Sequence, residues 1–240
     1  MVVAVRSLVT RTTSLPRRYA AALRVRTLLR HRSEMTDAEA LAWAGGLRWA
    51  GDNLRMTQAS DEILWLLGVV RQQRPRTVVE IGTDQGGTLF LWPYAAADDA
   101  LLVALDIRSL GVLGRWSPYA IVRRALALQE QRVELLMPVD SHDPRTVERL
   151  ERILAGRPVD FLFIDADHTY DGVRRDFELF SPLVRPGGII AFHDVSAGAW
   201  PGVVRFFDEL SSRYEHDSRV AEGPRRYGVG FVRLPEPARA

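Results

Sequence analysis

The chain contains no cysteine and no lysine. The first absence removes disulfides, thiolate zinc sites and cysteine nucleophiles. The second leaves all basic charge to 32 arginines, a bias that no physical requirement demands and that carries no functional weight. No apolar run approaches the ~18 residues of a membrane-spanning helix. The stretch after Met1 is interrupted by Arg6, Arg11, Arg17 and Arg18, which is unlike a secretory leader, and a cytoplasmic location is expected. Internal repeats and low-complexity tracts are also missing.

What is present is 240 residues with a 47% hydrophobic and a 26% charged share, enough for one α/β domain with a decorated end. The formal net charge of +2 hides a split, because residues 1 to 32 hold eight arginines and no acid while the remainder is net acidic. Residues 1–55 are therefore set apart as a helical basic arm or lid, and 56–240 as the main domain. From Leu15 to Leu29, apolar residues recur at helical spacing between arginines. A helix docked on the domain or on a second subunit is the expectation, with peripheral contact to a membrane surface as the alternative. Short helices follow at Asp37 to Ala44 and Ala59 to Gln73, separated by Gly45, Gly46 and Gly51.

After Arg76, β-branched runs alternate with helical stretches. Thr77 to Ile81, Leu101 to Asp106, Val133 to Val139, Val159 to Asp165 and Gly188 to His193 read as strands. Helices are expected at Gly87 to Ala96, Pro118 to Gln129, Pro144 to Ala155, Tyr170 to Val184 and Gly202 to Arg213. The alternation predicts an α/β fold with a doubly wound, mostly parallel sheet. Glu215 to Ala221 and Tyr227 to Leu234 are expected to pair as antiparallel strands around Gly223 and Pro224.

The first of these strands ends in Glu80-Ile81-Gly82-Thr83-Asp84-Gln85-Gly86-Gly87, an acid followed by a glycine turn that opens a helix. This spacing is not G-x-G-x-x-G, so a nucleoside is favoured over a dinucleotide pyrophosphate. Asp106, at the end of the second strand, offers two oxygens to ribose hydroxyls. Asp140 and Ser141, after the third, stand where an adenine would lie, with a helix-capping role beside Asp143 as the bland alternative.

On these residues the segment 76–195 resembles the class I methyltransferases, with Glu80-x-Gly82-x-x-x-Gly86 as the glycine motif and Asp106 as the ribose acid. The resemblance implies a seven-stranded Rossmann-like sheet with a reversed final hairpin. It also implies S-adenosylmethionine (SAM) as cofactor, contacted by Glu80, Gly82, Thr83, Gly86, Asp106, Asp140 and Ser141. Within that superfamily the chain is similar to the macrolide-sugar and cephalosporin-biosynthesis O-methyltransferases, which implies a hydroxyl acceptor on a small molecule, such as a sugar of a natural product or glycolipid.

The fourth and fifth strands end in Asp165-Ala166-Asp167-His168 and His193-Asp194. If these strands are neighbours, Asp165, His193 and Asp194 converge and can hold a divalent ion, Mg²⁺ or, given the imidazole, Mn²⁺. The related sugar enzymes carry an acidic pair on the fifth strand, from which His193 departs. His168, three residues past Asp165, is the expected general base. It matches the Asp-x-x-His spacing of the same enzymes, and Asp165 joins it as a catalytic residue. Three rivals remain open: a metal-independent methyltransferase, a nicotinamide oxidoreductase that the glycine spacing opposes, and a non-catalytic SAM-binding scaffold. Nucleic acid is not an expected partner, because the basic arm offers only Tyr19 for stacking. Self-association is compatible with the terminal helix.

Overall fold

The computed structural model describes residues 15–30, 35–49, 52–54, 56–111, 113–196, 198, 200–222 and 227–236. Residues 1–14, Gly51 and the expected Gly223–Pro224 turn lie outside them. The elements run α1 (Leu15–Arg30), α2 (Asp37–Gly46), β1 (Arg48–Trp49), β2 (Asp52–Asn53), α3 (Ser60–Gln73), β3 (Thr77–Ile81), α4 (Gly87–Ala95) and β4 (Leu101–Leu105). Then come α5 (Pro118–Arg124), β5 (Arg132–Leu136), α6 (Pro144–Leu154), β6 (Val159–Ile164), α7 (Tyr170–Phe180), β7 (Val184–His193), α8 (Pro201–Ser211), β8 (Glu215–Arg219) and β9 (Val229–Arg233).

Seven strands form one sheet in the order β5-β4-β3-β6-β7-β9-β8. β9 runs antiparallel to both its neighbours, and the other pairings are parallel. The chain leaves β3 for β4 and β5 on one side, then crosses to β6 on the other. The gap beside the carboxyl ends of β3 and β6 is therefore the switch point at which open α/β sheets bind ligands.

Strand periodicity of two divides the core into two layers. Val78, Leu102, Phe161, Phe163 and Ile189 face the helices α3, α4 and α5. Val79, Val103, Leu162, Ile164 and Phe192 face α6, α7 and α8. On the first face, Trp92 lies edge-on between Phe161 and Phe163, at 5.1 and 5.3 Å between centroids. α1 and α2 extend this layer outward: Ala22, Val25, Leu29, Ala40 and Ala44 are buried in the same cluster, and Trp43 stacks on Phe90 at 5.3 Å. None of the helices among the described residues is long and apolar enough to cross a membrane.

Local chemistry sets most boundaries. Thr36 and Glu39 form a capping box at the start of α2. Asp143 caps α6, with Pro144 in its first turn. Thr169 accepts from Gly172 N at 3.0 Å and so starts α7. Three elements stop three or more residues earlier than the sequence predicts. β5 ends at Leu136, just before the cis Met137–Pro138 bond, where proline has no N–H for the ladder. α7 ends at Phe180 and tightens into a 3₁₀ turn at Ser181–Leu183 over Pro182. α5 closes at Arg124, with Ala125 N bonded to Val122 O in a tightened turn.

The last hairpin is tied to the front of the domain by a buried acid. Glu62 on α3 accepts from Ala221 N at 2.8 Å and Gly228 N at 2.9 Å. Those amides would otherwise lack partners next to an apolar core.

Docking of α1 gives a direct stability test. Leu29 is 1% exposed, so Leu29→Ala should cost about 2–4 kcal/mol of unfolding free energy in urea. A loss under about 0.5 kcal/mol, the usual range for surface changes, would mean that the helix is not packed on the domain.

Candidate active site

The carboxyl ends of β3 and β6 approach each other closely. Gly82 has φ +87°, and a β-carbon there would overlap the carbonyl oxygen of Asp165. Glycine is thus required twice, by backbone angle and by close approach. Gly82 N donates to Leu105 O at 2.9 Å, and Asp165 N to Ile81 O at 2.9 Å, so three strand ends are stitched together. Gly86, also left-handed at φ +81°, caps α4.

Glu80 is fully buried. It accepts from Thr83 Oγ1 at 3.2 Å and from the Thr88 hydroxyl, bracing the glycine turn from inside. Burial pushes its pKa up to about 8, against the hydrogen bonds from Thr88 and Thr83. The turn is also held from outside. The buried Arg123 donates to Gln85 O at 2.5 Å and Asn53 O at 3.1 Å while stacking 3.6 Å from the Tyr119 ring. Tyr119 Oη donates to Asp84 O at 2.7 Å.

Above these ends lies a cleft of about 630 Å³, lined among others by Gly82, Asp106, Ile107, Asp140, Ser141, Asp165 and His168. Each oxygen of Asp106 accepts one backbone N–H, from Asp84 and from Arg108, both at 2.7 Å. An ionised carboxylate has about four acceptor sites, so one per oxygen remains for a ligand. Ile107, next along, is 78% exposed and gives the cleft an apolar patch. Asp140 Oδ1 accepts from His142 N at 2.9 Å, and its carbonyl accepts from Thr146 Oγ1 at 2.6 Å. The His142 ring stands 3.4 Å from the buried Asp176 of α7.

At one end of the cleft, four polar side chains meet. His168 Nε2 lies 2.8 Å from Asp194 Oδ2 and 3.6 Å from Asp165 Oδ1. His193 Nδ1 lies 3.3 Å from the same Asp165 oxygen and 3.4 Å from the same Asp194 oxygen. His193 is 4% exposed and His168 34%. Asp194 has φ +65°, an uncommon angle for a residue with a β-carbon and a mark of local strain. Burial raises both acids, but the imidazoles outweigh it: Asp165 ends below the ordinary carboxylate range and Asp194 at about 2. Hydrogen bonds to Asp165 and Asp194 lift His168 to about 9. Burial opposes charging of His193, yet the two acids lift it to about 10.

This donor set fits a divalent ion. Asp165, His168 and Asp194 each bring a ligand atom within 4.8 Å of the others, and His193 Nδ1, 3.3 and 3.4 Å from the same two carboxylate oxygens, offers a second imidazole for the same position. An ion holding ligands at about 2.1 Å in octahedral geometry sets adjacent ligand atoms about 3 Å apart, close to the separations here. Charge also matches, since two imidazolium protons balance two carboxylates as one divalent cation would. The ring nitrogen His193 Nε2 is buried without a hydrogen-bond partner among the described residues.

Of the residues singled out in the sequence, Gly82, Asp106, Asp140, Ser141, Asp165 and His168 line the cleft. His193 and Asp194 join Asp165 and His168 at its end, while Glu80, Thr83 and Gly86 support the cleft from behind. Three neighbours were not singled out in the sequence. Gln58 Nε2 donates to Asp165 Oδ2 at 2.5 Å, from a loop with no motif. The Tyr227 ring lies edge-on 6.0 Å from His193. Asp176 was detectable, as an acid on the buried stripe of Val173, Phe177 and Phe180. Trp200 is 56% exposed and 5.3 Å from the His168 ring.

Residues 79–195 match the model of a family described as a methyltransferase domain. The uncharacterized protein y4gI of Sinorhizobium fredii is 28% identical over 153 residues, covering 62% of this chain and 16% of that protein. The uncharacterized protein R132 of Acanthamoeba polyphaga mimivirus is 30% identical over 124 residues, covering 52% and 53%. The chain thus spans a sixth to a half of the curated relatives it matches. Among solved structures, the O-methyltransferase TomG from Streptomyces achromogenes, in complex with SAM, is 18% identical at a TM-score of 0.59, covering 93% of this chain and 100% of that one. An O-methyltransferase from Bacillus cereus with bound SAH gives 20% and 0.57, covering 92% and 100%. MycE, from the mycinamycin biosynthetic pathway and in complex with Mg, SAH and mycinamycin VI, gives 20% and 0.51, covering 74% and 50%. At these identities the likeness is one of fold.

Glu80 supplies a pH prediction. Its pKa rises on folding from 4.5 to about 8, so between those values the folded chain holds a proton that the unfolded chain has released. Stability from this group is complete below pH 4.5 and is lost as pH rises toward 8. Glu80→Gln should flatten the fall in melting temperature across that window; an unchanged slope would show that Glu80 is ionised in the folded chain.

Proposed function

We propose that this chain is a class I S-adenosylmethionine-dependent methyltransferase that methylates a hydroxyl oxygen of a small molecule with help from a divalent cation, a reading supported by the methyltransferase-domain match over residues 79–195. The observation that carries this reading is the convergence of Asp165, His168, His193 and Asp194 at one end of the nucleoside-sized cleft. A sugar of a natural product or glycolipid is the acceptor class we favour. It is supported by the charged, hydrogen-bonding floor beside an exposed indole, a pairing suited to a polar ring with an apolar face.

In this reading the free acceptor sites of Asp106 take the two ribose hydroxyls, Ile107 packs against the base, and Asp140 and Ser141 border its polar edge. Gly82 and Gly86 keep the turn close to the amino-acid end of the cofactor, with Glu80 and Thr83 bracing it. Bound along these residues, the cofactor would supply its methyl group at the end of the cleft where Asp165 and His168 stand. Asp165, Asp194 and His193 would hold the cation, which lowers the pKa of a hydroxyl bound beside it.

His168, the more exposed imidazole, faces the acceptor and takes its proton at Nε2. The acceptor oxygen forms its bond to the methyl carbon as the carbon–sulfur bond breaks, leaving S-adenosylhomocysteine. His168 acts from its neutral form, which becomes accessible when Asp165 and Asp194 are neutralised by something other than its own proton.

A second reading is favoured by one specific observation: the two imidazoles already balance the two carboxylates. In it the enzyme needs no metal, and Asp165 and His168 act as an acid–base pair.

Calorimetric titration with S-adenosylhomocysteine and then with Mn²⁺, after EDTA treatment, separates the two. Asp106→Ala should weaken nucleoside binding about 10- to 100-fold, the worth of lost charged hydrogen bonds, without touching the cation isotherm. Asp165→Ala and Asp194→Ala should abolish that isotherm and spare the nucleoside; full metal-stimulated turnover in either variant overturns the metal assignment. With an acceptor in hand, His168→Gln should lower turnover about 10²- to 10⁴-fold while keeping Mn²⁺ affinity. His193→Gln should lose the affinity itself, and the reverse pattern would exchange the two roles.

A further inference from the structure

The loop before α3 reaches into the catalytic cluster. Gln58 Nε2 donates to Asp165 Oδ2 at 2.5 Å, across 107 positions of sequence. The assignment of the amide nitrogen is forced, because an ionised carboxylate only accepts. The other oxygen of the same carboxylate, Oδ1, is the one that meets His168 Nε2 and His193 Nδ1.

Gln58 is anchored on both sides. Upstream, Leu54 is fully buried, and Asn53 O accepts from the buried guanidinium of Arg123 at 3.1 Å. Downstream, Ala59 N donates at 3.4 Å to Glu62, whose carboxylate also clamps Ala221 and Gly228. Two buried polar anchors therefore fix the backbone from which this amide projects.

We propose that Gln58 is a positioning residue: its amide holds Asp165 by one oxygen, so that the carboxylate presents the other to the cluster in a single orientation. A carboxylate without that restraint rotates about a broad, two-fold torsion and exchanges its oxygens. Gln58 is then part of the active centre, and the described residues on either side of it, 52–54 and 59–62, are joined to the cluster through its side chain. The proposal rests on the methyltransferase reading for its consequence in catalysis, but the geometry it claims is readable without turnover.

The test compares Gln58→Met, which keeps length and shape but has no donor, with Gln58→Ala, which removes both. Three measurements are made at one fixed pH: S-adenosylhomocysteine affinity, Mn²⁺ affinity by calorimetry, and the ring-nitrogen resonances of His168 and His193 in EDTA. Both variants should bind the nucleoside within about twofold of wild type. Both should shift the two histidine spectra and lose about 10- to 100-fold in Mn²⁺ affinity, as removal of a partner behind a ligand does.

Wild-type spectra in Gln58→Met overturn the proposal, as does a defect confined to Gln58→Ala, which would mark packing alone. A wild-type chain that binds no Mn²⁺ refutes the metal reading above, and the histidine spectra still decide this one.

Discussion

The structure hangs on the contact between two backbones at the centre of the sheet. Where β3 and β6 end, Gly82 lies so close to the carbonyl of Asp165 that no side chain fits between them. That approach brings the glycine turn, the end of β4 and Asp165 to one edge. The cleft and the acid–imidazole cluster are consequently two sides of a single junction. A larger residue at position 82 would have to part the strands, displacing Asp165 and the turn together.

The second constraint is electrostatic. Asp165 and Asp194 are two largely buried acids in one cluster, an arrangement that costs several kcal/mol unless it is compensated. His168 and His193 supply the compensation, each touching the same oxygen of each acid. Because the imidazoles are shared in this way, the four groups form one unit of charge, and removing any member leaves the others poorly solvated. The strained backbone at Asp194 is part of the same bargain: the turn delivers a carboxylate where an extended residue would point it elsewhere.

The fold was legible because its signals are periodic. Apolar runs such as Thr77 to Ile81 and Val159 to Ile164 alternate with helical stretches, and acids at strand ends betray the ligand edge. Asp106, Asp165 and Asp194 stood out as charges terminating apolar strands. What escaped had no such contrast. Gln58 is a polar residue in a polar loop, and only tertiary packing through Arg123 and Glu62 aims it at Asp165. The role of Glu80 was legible in type and not in direction, because the alternation that places it at the strand end also turns its side chain inward, toward Thr83 and Thr88. The early ends of β5 and α7 follow from Pro138 and Pro182, whose missing N–H groups outweigh the apolar pattern around them.

The clamp made by Glu62 has a consequence for how the site comes into being. Val195 and Ser196, directly after Asp194, are bonded to Gly228 and Tyr227, and Glu62 holds Gly228 from the far side of the sequence. Segments more than 150 residues apart in the chain thus close around one loop. The cluster is therefore complete only when this non-local closure has formed: a chain that has completed every parallel strand still lacks the hairpin bonded to the loop after Asp194. The geometry of the cluster is a property of the sheet with its hairpin and of no smaller piece.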